Sequence, residues 1–443
     1  METLQIGLEI LIGILGGWLT LMMAYQLYLS VFGFGKCRKD YADREPESRF
    51  LVLIPAHNEE RVIAGIIDNL NRMDYPKELY DFYVIADNCT DNTAQIARSM
   101  GAKVIETCKE APDAPTGKPI ALKKALEALP GYQERYDLMM IFDADNLMDT
   151  NMFREVNSQY LEKGKPDFIQ CYLDSKNKDG FVAWFDYTSY TITNRFFKLA
   201  KYRLGLNGAI CGTGFAMTTS YLYRRGGWTT VSLTEDFEIQ VEAILEGRRI
   251  LWNHHTRVYD EKPTKMSVSI RQKLRWGQGN WYVTLRNTKK VFGSLFAGKL
   301  PFREFLSLFT HMYNLSAYVV LLVQTLLRLI LLLPCFEPGS LLVKLTSPDV
   351  QPSLAADIFS ILPGLLIFTY SYFGLFYASE WLDNHEKPHL RDLPRMFISF
   401  AANLLVAAIS QIVGLILCRQ QQNWVKTEHT ITAADSADRT IAG

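Results

Sequence analysis

The chain has 443 residues, which is enough for two or three domains, and its 47 acidic and 47 basic residues leave no net charge. This balance excludes a strong overall field of the kind that attracts nucleic acid, so no nucleic-acid partner is expected. Seven scattered cysteines without a CxxC pair argue against a zinc site or a disulfide framework and fit a reducing cytosol.

The N-terminal segment, residues 4–34, contains one charged residue, Glu9. It is long enough to cross the roughly 30 Å of hydrocarbon in a bilayer, and it lacks the basic start and small-residue cleavage site of a signal peptide. We therefore predict a membrane anchor. The basic stretch KCRK at residues 36–39 places the following domain in the cytosol by the positive-inside rule.

The next region alternates short apolar runs with amphipathic stretches. The predicted strands are RFLVLIPA (49–56), YDFYVIAD (80–87), AKVIE (102–106) and DLMMIFDAD (137–145), and the predicted helices are 59–73, 91–101 and 118–129. This order predicts an α/β fold with an open, mainly parallel sheet. Neither G-x-G-x-x-G after the first strand nor a P-loop motif is present, which argues against an NAD enzyme or a P-loop NTPase.

Polar side chains follow three of these strands, at residues 57–59, 87–88 and 143–145. In an open α/β sheet, ligands bind beyond the carboxyl ends of the strands. In FDADN, Asp143 and Asp145 are two positions apart and are expected to reach one hard cation, Mg²⁺ or Mn²⁺, together with substrate phosphates. The same DxD pattern also occurs in ordinary surface turns.

SLTEDFEIQ, residues 232–240, is predicted to open a helix. Its acids suit a helix N-terminus through capping and the helix dipole. Alternatively, Asp236 is a general base that accepts a proton from an incoming hydroxyl. CGTGFAM, residues 211–217, indicates either a tight turn or bulge, or a backbone that a sugar can approach closely.

SIRQKLRWGQGNW, residues 269–281, is the most specific signature. Gln272, Arg275 and Trp276 share one helix face, where Arg can stabilise a departing diphosphate and Trp can stack on a sugar ring. The other basic and aromatic residues of this stretch also suit a helix lying on a membrane surface, and both interpretations are compatible.

Three further apolar runs follow, at residues 314–333, 358–378 and 397–418. The first two are predicted spans, and the basic loop between the second and third runs favours a cytosolic position for that loop. The third run leaves two alternatives. If it is a span, the tail after it lies outside; if it lies in the interface or dips in and returns, the tail stays in the cytosol.

The motifs IPAHNEE, ADNCTDNT, FDADN, GTG, TED and QxxRW occur in this order between the apolar segments. Together they resemble the membrane-embedded family 2 glycosyltransferases, which include the cellulose, hyaluronan, chitin and mannan synthases. The resemblance extends over most of the chain, residues 49–430. It implies a GT-A fold, Rossmann-like and nucleotide-sugar-binding, and an inverting mechanism without a covalent intermediate.

The resemblance also implies roles for individual residues. Asp87 resembles the acid that contacts the nucleotide base, Asp143 resembles a diphosphate-site aspartate, and Asp145 resembles the aspartate that holds the metal. Asp236 resembles the base for the acceptor hydroxyl. The remaining predicted site residues are Pro55, Glu59, Lys118 and Arg275 for the donor nucleotide, Gly212, Thr213, Gly214, Glu235, Gln272 and Trp276 for the acceptor, and Trp424, Lys426 and Thr427 in a gating loop within NWVKTEHT.

The predicted organisation is a transmembrane helix at 1–35, a cytosolic GT-A domain at 48–266, interfacial helices at 267–312, transmembrane or interfacial helices at 313–418, and a gating-loop-like tail at 419–443. The predicted location is the plasma membrane, with a multi-pass chain whose catalytic domain is cytosolic. The predicted partners are a UDP-sugar, a growing glycan and the lipid bilayer, with a second copy or an accessory protein assisting export.

Three functions remain to be separated. The first is a processive synthase that extends a β-glucan from UDP-glucose and helps to export it. The second is a transferase that adds one sugar to a lipid carrier or lipid, which QxxRW disfavours. The third, from another class, is an inactive membrane scaffold that binds nucleotide sugars, which the full set of acids disfavours.

Overall fold

A computed structural model of the chain describes residues 2–109, 111, 116–178, 180–314, 316–331, 370–387, 389 and 392–421. Within these residues, eight strands form one sheet with helices on both faces. The sheet lies in the middle of the chain, and long apolar helices lie before and after it. The α/β class predicted from the sequence is confirmed.

The strands are β1 (Phe50–Ala56), β2 (Tyr80–Asp87), β3 (Lys103–Thr107), β4 (Leu138–Ile141), β5 (Leu147–Met148), β6 (Phe168–Ser175), β7 (Phe215–Thr218) and β8 (Ile250–Asp260). The helices are α1 (Glu2–Gly33), α2 (Ile63–Asn71), α3 (Thr93–Ser99), α4 (Lys118–Glu127), α5 (Tyr132–Arg135), α6 (Met152–Glu162), α7 (Phe181–Thr193), α8 (Ala200–Arg203), α9 (Thr219–Arg224), α10 (Glu235–Leu245), α11 (Met266–Phe296), α12 (Phe302–Tyr313), α13 (Ser316–Leu331), α14 (Leu375–Ser379) and α15 (Leu393–Leu417). A 3₁₀ turn at Lys77–Leu79 and π-helical turns at Asn194–Leu199, Tyr370–Gly374 and Glu380–Asn384 complete the regular structure.

The sheet is mixed. Its order is β3-β2-β1-β4-β7-β6-β8-β5; β1 to β4 are mutually parallel, whereas β7 runs antiparallel to both β4 and β6. Alternate residues of β1 enter opposite cores: Leu51 and Leu53 pack on one face, and Phe50, Val52 and Ile54 on the other. A strand covered on both faces needs apolar residues throughout, which explains the unbroken apolar run from which β1 was predicted.

Two predicted boundaries are wrong for local reasons. The helix predicted at 59–73, which is α2, begins at Ile63 rather than at 59, because the Val62 and Ile63 amides both donate to the carbonyl of Glu59 in a turn. The fourth strand ends at Ile141, because the chain then turns through 143–146, where the Asn146 amide donates to the carbonyl of Asp143 at 3.0 Å. Both DxD carboxylates therefore lie in a turn, so the strand-alternation argument for them fails.

Two helices, Thr3–Gly33 and Leu393–Leu417, are long and apolar enough to cross a membrane by length and composition. The Arg203 guanidinium attaches the end of α1 to the sheet domain, because it donates to four backbone carbonyls at residues 32 and 34–36. These carbonyls lie in or just after the last helical turn, where no intrahelical donor remains. Of the predicted span 358–378, only residues 370–378 lie within the described part of the chain.

α15 touches the catalytic domain at both of its ends. Near its start, Arg395 donates to the carbonyl of Gly180 and the Ser399 hydroxyl donates to the carbonyl of Phe181, each at 3.0 Å. Just past its end, Gln421 accepts from the amide of Leu233 at 2.8 Å, in the loop that leads into α10. Several of its apolar side chains remain exposed: Phe397, Ile398, Leu405, Ile409 and Ile416.

α11 and α15 cross at glycines. A Cβ on Gly277 would lie 2.7 Å from the carbonyl oxygen of Ser410, and one on Gly414 would lie 2.6 Å from the carbonyl carbon of Gly277. Both neighbours are backbone atoms, so neither can move aside cheaply. The two helix axes approach this closely because both positions lack a side chain.

Gly414→Ala is expected to lower the free energy of unfolding by about 1–3 kcal/mol, because the added methyl group overpacks a backbone contact. Gly293→Ala is the matched control, because its Cβ would meet no atom within 4 Å and alanine favours a helix by about 1 kcal/mol. Thermal denaturation of the detergent-solubilised chain, followed by tryptophan fluorescence, measures both. Equal stability of Gly414→Ala and the parent would show that the helices do not cross here.

Candidate active site

One cavity of about 520 Å³ lies beyond the carboxyl ends of β1, β2 and β4 and extends to α11 and α15. Thirteen of the residues predicted from the sequence line it: Pro55, Glu59, Asp87, Lys118, Asp143, Asp145, Gly212, Thr213, Glu235, Asp236, Gln272, Arg275 and Trp276. Gly214 lies behind this wall, where its missing Cβ would meet Val258 at 2.5 Å. Trp424, Lys426 and Thr427 lie outside the described residues.

The outer end of the cavity is built by the turns after β1 and β2. The Asp87 carboxylate accepts from the Thr107 hydroxyl and from the Asn88 amide, each at 2.8 Å, and His57 Nδ1 lies 2.7 Å from the carbonyl oxygen of Asp87. Asn58 and Asn88 both adopt positive φ, a conformation that asparagine tolerates well. The chain therefore bends sharply at both strand exits and leaves polar groups at the sheet edge.

The FDADN and GTG segments are joined by hydrogen bonds. The Asp143 amide donates to Asn146 Oδ1 at 3.1 Å and to the Thr213 hydroxyl at 3.2 Å, and the Thr213 hydroxyl donates to Asn146 Oδ1. Buried Gln170 on β6 supports the second segment by donating to the Thr213 carbonyl at 3.0 Å. Gly212 has φ +63°, and a Cβ there would lie 3.3 Å from Asp236 Oδ2, so the GTG backbone directly faces the TED carboxylate.

Lys118 lies at the centre of the cavity. Its ammonium donates to Asp143 Oδ1 at 2.7 Å and to the Gly212 carbonyl at 2.6 Å, and it lies 3.7 Å from Glu235 Oε1. Burial alone would lower the pKa of Lys118, but the Asp143 and Glu235 carboxylates overcome this and raise it. One charged ammonium therefore connects the DxD turn, the GTG turn and the TED helix.

The two acids at the start of α10 are held in a state that favours protonation. Burial raises the pKa of Glu235 to about 7, and Lys118 only partly opposes this. Burial also raises the pKa of Asp236, against the backbone amide of Phe237 that donates to Asp236 Oδ1 at 2.8 Å. No hydrogen-bond partner is found for Asp236 Oδ2 among the described residues, so this oxygen is open to the cavity.

The third side of the cavity is the face of α11 that carries Gln272, Arg275 and Trp276, as the helical spacing predicted. Behind this face, Lys273 donates to Asp186 of α7 at 3.0 Å, and both side chains are buried. The backbone on the same helix is pressed against the TED loop, since a Cβ on Gly279 would lie 2.5 Å from Thr234 Oγ1. α11 is therefore fixed in rotation.

The sequence analysis missed a polar group at the end of β8. Asp260, Glu261 and Lys262 line the cavity, and Lys262 pairs with Asp260 at 2.6 Å. Burial raises the pKa of Asp260 to about 6, with Lys262 opposing and Asp145 adding to the rise. The signal was weak, because DEKP follows ILWNHHTRVY, a stretch with polar residues in its middle, unlike the apolar runs before the other polar groups.

The end of α15 reaches the cavity as well. A smaller cavity of about 270 Å³ adjoins the first and is lined in part by Lys118, Leu233, Glu235, Arg275 and Gln421. Gln421 is the last described residue, so the segment containing NWVKTEHT leaves the described structure beside the TED loop.

The residues present fit a divalent cation that is completed by substrate. Among the described residues, no group of three or more His, Cys, Asp or Glu side chains gathers to hold a metal alone. Asp145 Oδ2 accepts from the amide of Glu261 at 3.2 Å, and its carboxylate lies on the cavity wall next to that of Asp143. One or two carboxylates with diphosphate oxygens are a usual arrangement for Mg²⁺.

Residues 46–279 match the model of the glycosyltransferase-like family 2, and the chain belongs to this family. Its fold is GT-A-like and Rossmann-type. The matched region includes every described site element from the turn after β1 to the QxxRW face of α11.

Curated relatives are distant. The chain is 26% identical to the probable glycosyltransferase YdaM of Bacillus subtilis over 54% of this chain and 57% of the relative. It is 25% identical to the beta-monoglucosyldiacylglycerol synthase of Nostoc sp. over 55% of this chain and 53% of the relative. For the poly-beta-1,6-N-acetyl-D-glucosamine synthase of Staphylococcus aureus the identity is 23%, over 61% and 63%. The match thus spans between half and two thirds of each relative.

Among solved structures, the mannosyltransferase PcManGT from Pyrobaculum calidifontis, in complex with GDP-Man and Mn²⁺, superposes with a TM-score of 0.59 and 16% sequence identity. The superposition covers 91% of this chain and 99% of that chain. At this identity the likeness establishes the fold, and it includes the helices outside the sheet domain.

The value of kcat/KM is expected to fall as the pH drops below about 7, because kcat/KM follows the free enzyme's essential groups and Glu235, whose pKa is raised to about 7, binds a proton there. Burial shifts the pKa of Asp236 in the same direction. Lys118→Met should move this acid limb to higher pH, since the Lys118 charge holds both pKa values down. Nucleoside diphosphate release measured across about pH 5 to 9 follows the limb. Lys123→Met, on the exposed side of the same helix, is the control; an identical limb in both variants would contradict the assignment.

Proposed function

We propose that this chain transfers a hexose from a nucleotide sugar to an acceptor hydroxyl in one inverting displacement, with Asp236 as the base. The observation that carries this proposal is the open Oδ2 of Asp236, which faces the Gly212 backbone in the same cavity as the DxD turn. A single displacement needs a base on one side of the anomeric carbon and a stabilised leaving group on the other. Asp236 supplies the first side, and Arg275 with a cation held by Asp143 and Asp145 would supply the second.

In the proposed step, an acceptor hydroxyl gives its proton to Asp236 Oδ2 as its oxygen bonds to the anomeric carbon. The bond from that carbon to the β-phosphate oxygen breaks, and the nucleoside diphosphate leaves with the electron pair. The anomeric configuration inverts because attack and departure are on opposite faces. Proton transfer to a positioned carboxylate contributes about 10²- to 10⁴-fold to a rate.

The leaving group is stabilised by cations in this proposal. Arg275 offers a fixed fork of donors to the departing diphosphate. Lys118 holds Asp143 in place and adds a positive charge at the centre of the cavity. Asp145, with Asp143, would hold Mg²⁺ or Mn²⁺, which when bound neutralises diphosphate charge. Pro55, Glu59 and Asp87 are proposed to contact the nucleotide, and Gln272 and Trp276 to form the floor under the acceptor.

The first candidate product is a β-linked polymer made from UDP-glucose, the proposed donor. The polymer would be extended on the cytosolic side of the plasma membrane. The chain's own helices, a second copy or an accessory protein would help to export it. It is supported by QxxRW on the cavity face of α11 between apolar helices. The name of the Staphylococcus aureus relative, a poly-N-acetylglucosamine synthase, points to the same class of product.

A glycolipid is the second candidate, and one observation favours it. The inner wall of the cavity includes Ala407 and Gln411 of α15, an apolar helix with exposed aliphatic side chains. An acceptor at that wall would lie against the membrane interface, where a lipid hydroxyl is available. The Nostoc relative is named for such a product.

We also propose that α15 lies along the membrane interface and that NWVKTEHT acts as a cytosolic lid. Support comes from the two ends of α15, both of which bond to the catalytic domain, and from Gln421 beside the TED loop. A single span would carry one end of the helix away from that domain. Closure of Trp424, Lys426 and Thr427 over the diphosphate would exclude water and complete the site.

Asp236→Asn is expected to lower turnover about 10³-fold, because an amide cannot accept the acceptor proton. Membranes containing the chain are incubated with UDP-[¹⁴C]glucose and then with UDP-N-acetylglucosamine and GDP-mannose, and diphosphate release is counted. EDTA should stop the reaction, and Mg²⁺ or Mn²⁺ should restore it. Asp68→Asn, on the exposed side of α2, is the matched control. Equal rates in Asp236→Asn and the parent would exclude this base.

The same reactions separate the two products. Label that stays in the aqueous pellet and is digested by linkage-specific glycosidases identifies a polymer, whereas label that extracts into organic solvent after one addition identifies a glycolipid. Nucleotide-sugar binding without release of diphosphate from any donor would instead support a scaffold.

Lys426→Ala is expected to lower turnover while the amount of protein stays normal, because the lid would lose its cation over the diphosphate. Glu428→Cys tests the placement directly: a membrane-impermeant thiol reagent should label it only after the membrane is opened. Labelling of intact cells from outside would contradict both the cytosolic lid and the interfacial position of α15.

A further inference from the structure

His311, in the last turn of α12, lies at the inner end of the cavity and has no role in the proposed step so far. Its imidazole is wedged between two phenylalanine rings, Phe197 and Phe237, each edge-on with ring centroids 5.3 Å away. Phe237 directly follows Asp236 in the chain. The ring is therefore fixed against the helix that carries the proposed base.

A chain of hydrogen bonds determines which nitrogen of His311 carries the proton. The amide of Ile210 donates to Gln240 Oε1 at 3.0 Å, which orients the Gln240 side chain so that its Nε2 faces His311 Nδ1 at 2.9 Å. Gln240 Nε2 can only donate, so His311 Nδ1 accepts. In the neutral imidazole the proton is then on Nε2.

His311 also remains neutral near pH 7. Burial lowers the pKa of His311 well below its ordinary value, and the nearby ammonium groups of Lys201 and Lys198 lower it further. From α10, the groups that face the ring are Phe237 and Gln240, neither of which carries a charge. The imidazole therefore acts as a fixed donor at Nε2 and a fixed acceptor at Nδ1.

The Nε2–H group of His311 is available to donate a hydrogen bond. Within the described part of the chain, no hydrogen-bond partner is found for it, and it is not among the sealed polar atoms that lack one. His311 lines the cavity, as do Asn280 of α11 and Asn314. Gln240 lies one helical turn beyond Asp236, so the relay and the base share α10.

We propose that His311 is an acceptor-binding residue, whose Nε2–H donates a hydrogen bond to an oxygen of the acceptor and so holds the attacking hydroxyl next to Asp236. This inference rests on the proposed function and adds the acceptor's chemistry to it: the acceptor carries a second oxygen, in a hydroxyl, an ether or an ester group, within reach of His311. Glycans and diacylglycerols both satisfy this description.

Two substitutions separate the two nitrogens. His311→Gln places an amide N–H close to the position of Nε2, whereas His311→Asn keeps an acceptor near Nδ1 for Gln240 and removes the donor to the cavity. The full-length, detergent-solubilised chain is given labelled donor and either cellobiose or dioleoylglycerol in mixed micelles. The acceptor KM and the ratio of label transferred to label lost to water are measured. His255→Asn is the matched control, since His255 on β8 packs against Tyr41 and is not among the residues that line the cavity.

We expect His311→Asn to raise the acceptor KM and to lower the transfer-to-hydrolysis ratio by about 5- to 10-fold, the effect of one hydrogen bond to a neutral group. His311→Gln should restore both to within about twofold of the parent, and neither variant should change the donor KM by more than that. Melting curves confirm that both variants fold.

Three results would overturn the inference. An acceptor KM in His311→Asn equal to that of His311→Gln and the parent would show that Nε2 binds no acceptor. Equal losses in both variants, accompanied by a changed donor KM or a lower melting temperature, would show a structural role. If the parent chain, like the Asp236→Asn variant, releases no diphosphate from any donor, the proposed function itself is overturned. Diphosphate release by the parent therefore distinguishes failure of the inference from failure of the proposed function.

Discussion

The site depends on one close contact: α11 is held between the TED loop and α15 at positions where only glycine fits. Gly279 abuts Thr234 on one side, and Gly277 abuts the backbone of α15 on the other. Gly277 meets backbone atoms, and Gly279 meets both the side chain and the backbone amide of Thr234, so α11 has little freedom to rotate or shift. The face with Gln272, Arg275 and Trp276 is thereby fixed relative to Asp236, and the exit of α15 is fixed beside the same loop. The cavity and the apolar helix α15 therefore share this contact.

Acidic side chains outnumber basic ones among the described residues that line the cavity. Within the described residues, the Lys118 ammonium contacts the DxD turn and the GTG turn and approaches the TED helix. Burial raises the pKa values of both Glu235 and Asp236, the Lys118 charge lowers both, and Asp236 adds to the rise at Glu235. A nucleotide sugar that arrives with a metal and leaves as a nucleoside diphosphate would change the charge around these acids in every catalytic cycle. The protonation of the proposed base, Asp236, and the occupancy of the donor site would therefore be coupled.

Sequence reasoning predicted the parallel half of the sheet, and thirteen of its predicted site residues line the cavity, because polar groups at the ends of parallel strands must converge at one edge. It misplaced the DxD carboxylates on a strand, since nothing local distinguishes the last strand residue from a turn held by Asn146 and Thr213. It missed Asp260 because β8 follows a helix–loop stretch without the earlier rhythm. It missed His311 because the relay through Ile210 and Gln240 joins three distant segments, and no spacing in the sequence encodes a tertiary contact.

We propose a single displacement in which Asp236 takes a proton from the attacking hydroxyl on one face of the sugar while the diphosphate leaves from the opposite face. The most direct test is the anomeric configuration of the new linkage, read by proton NMR from the first product formed with a donor whose sugar–phosphate bond is α. A single displacement at the cavity described here predicts a β linkage. An α linkage would require a second displacement or a different face of attack, and it would contradict the assignment of Asp236 as the base.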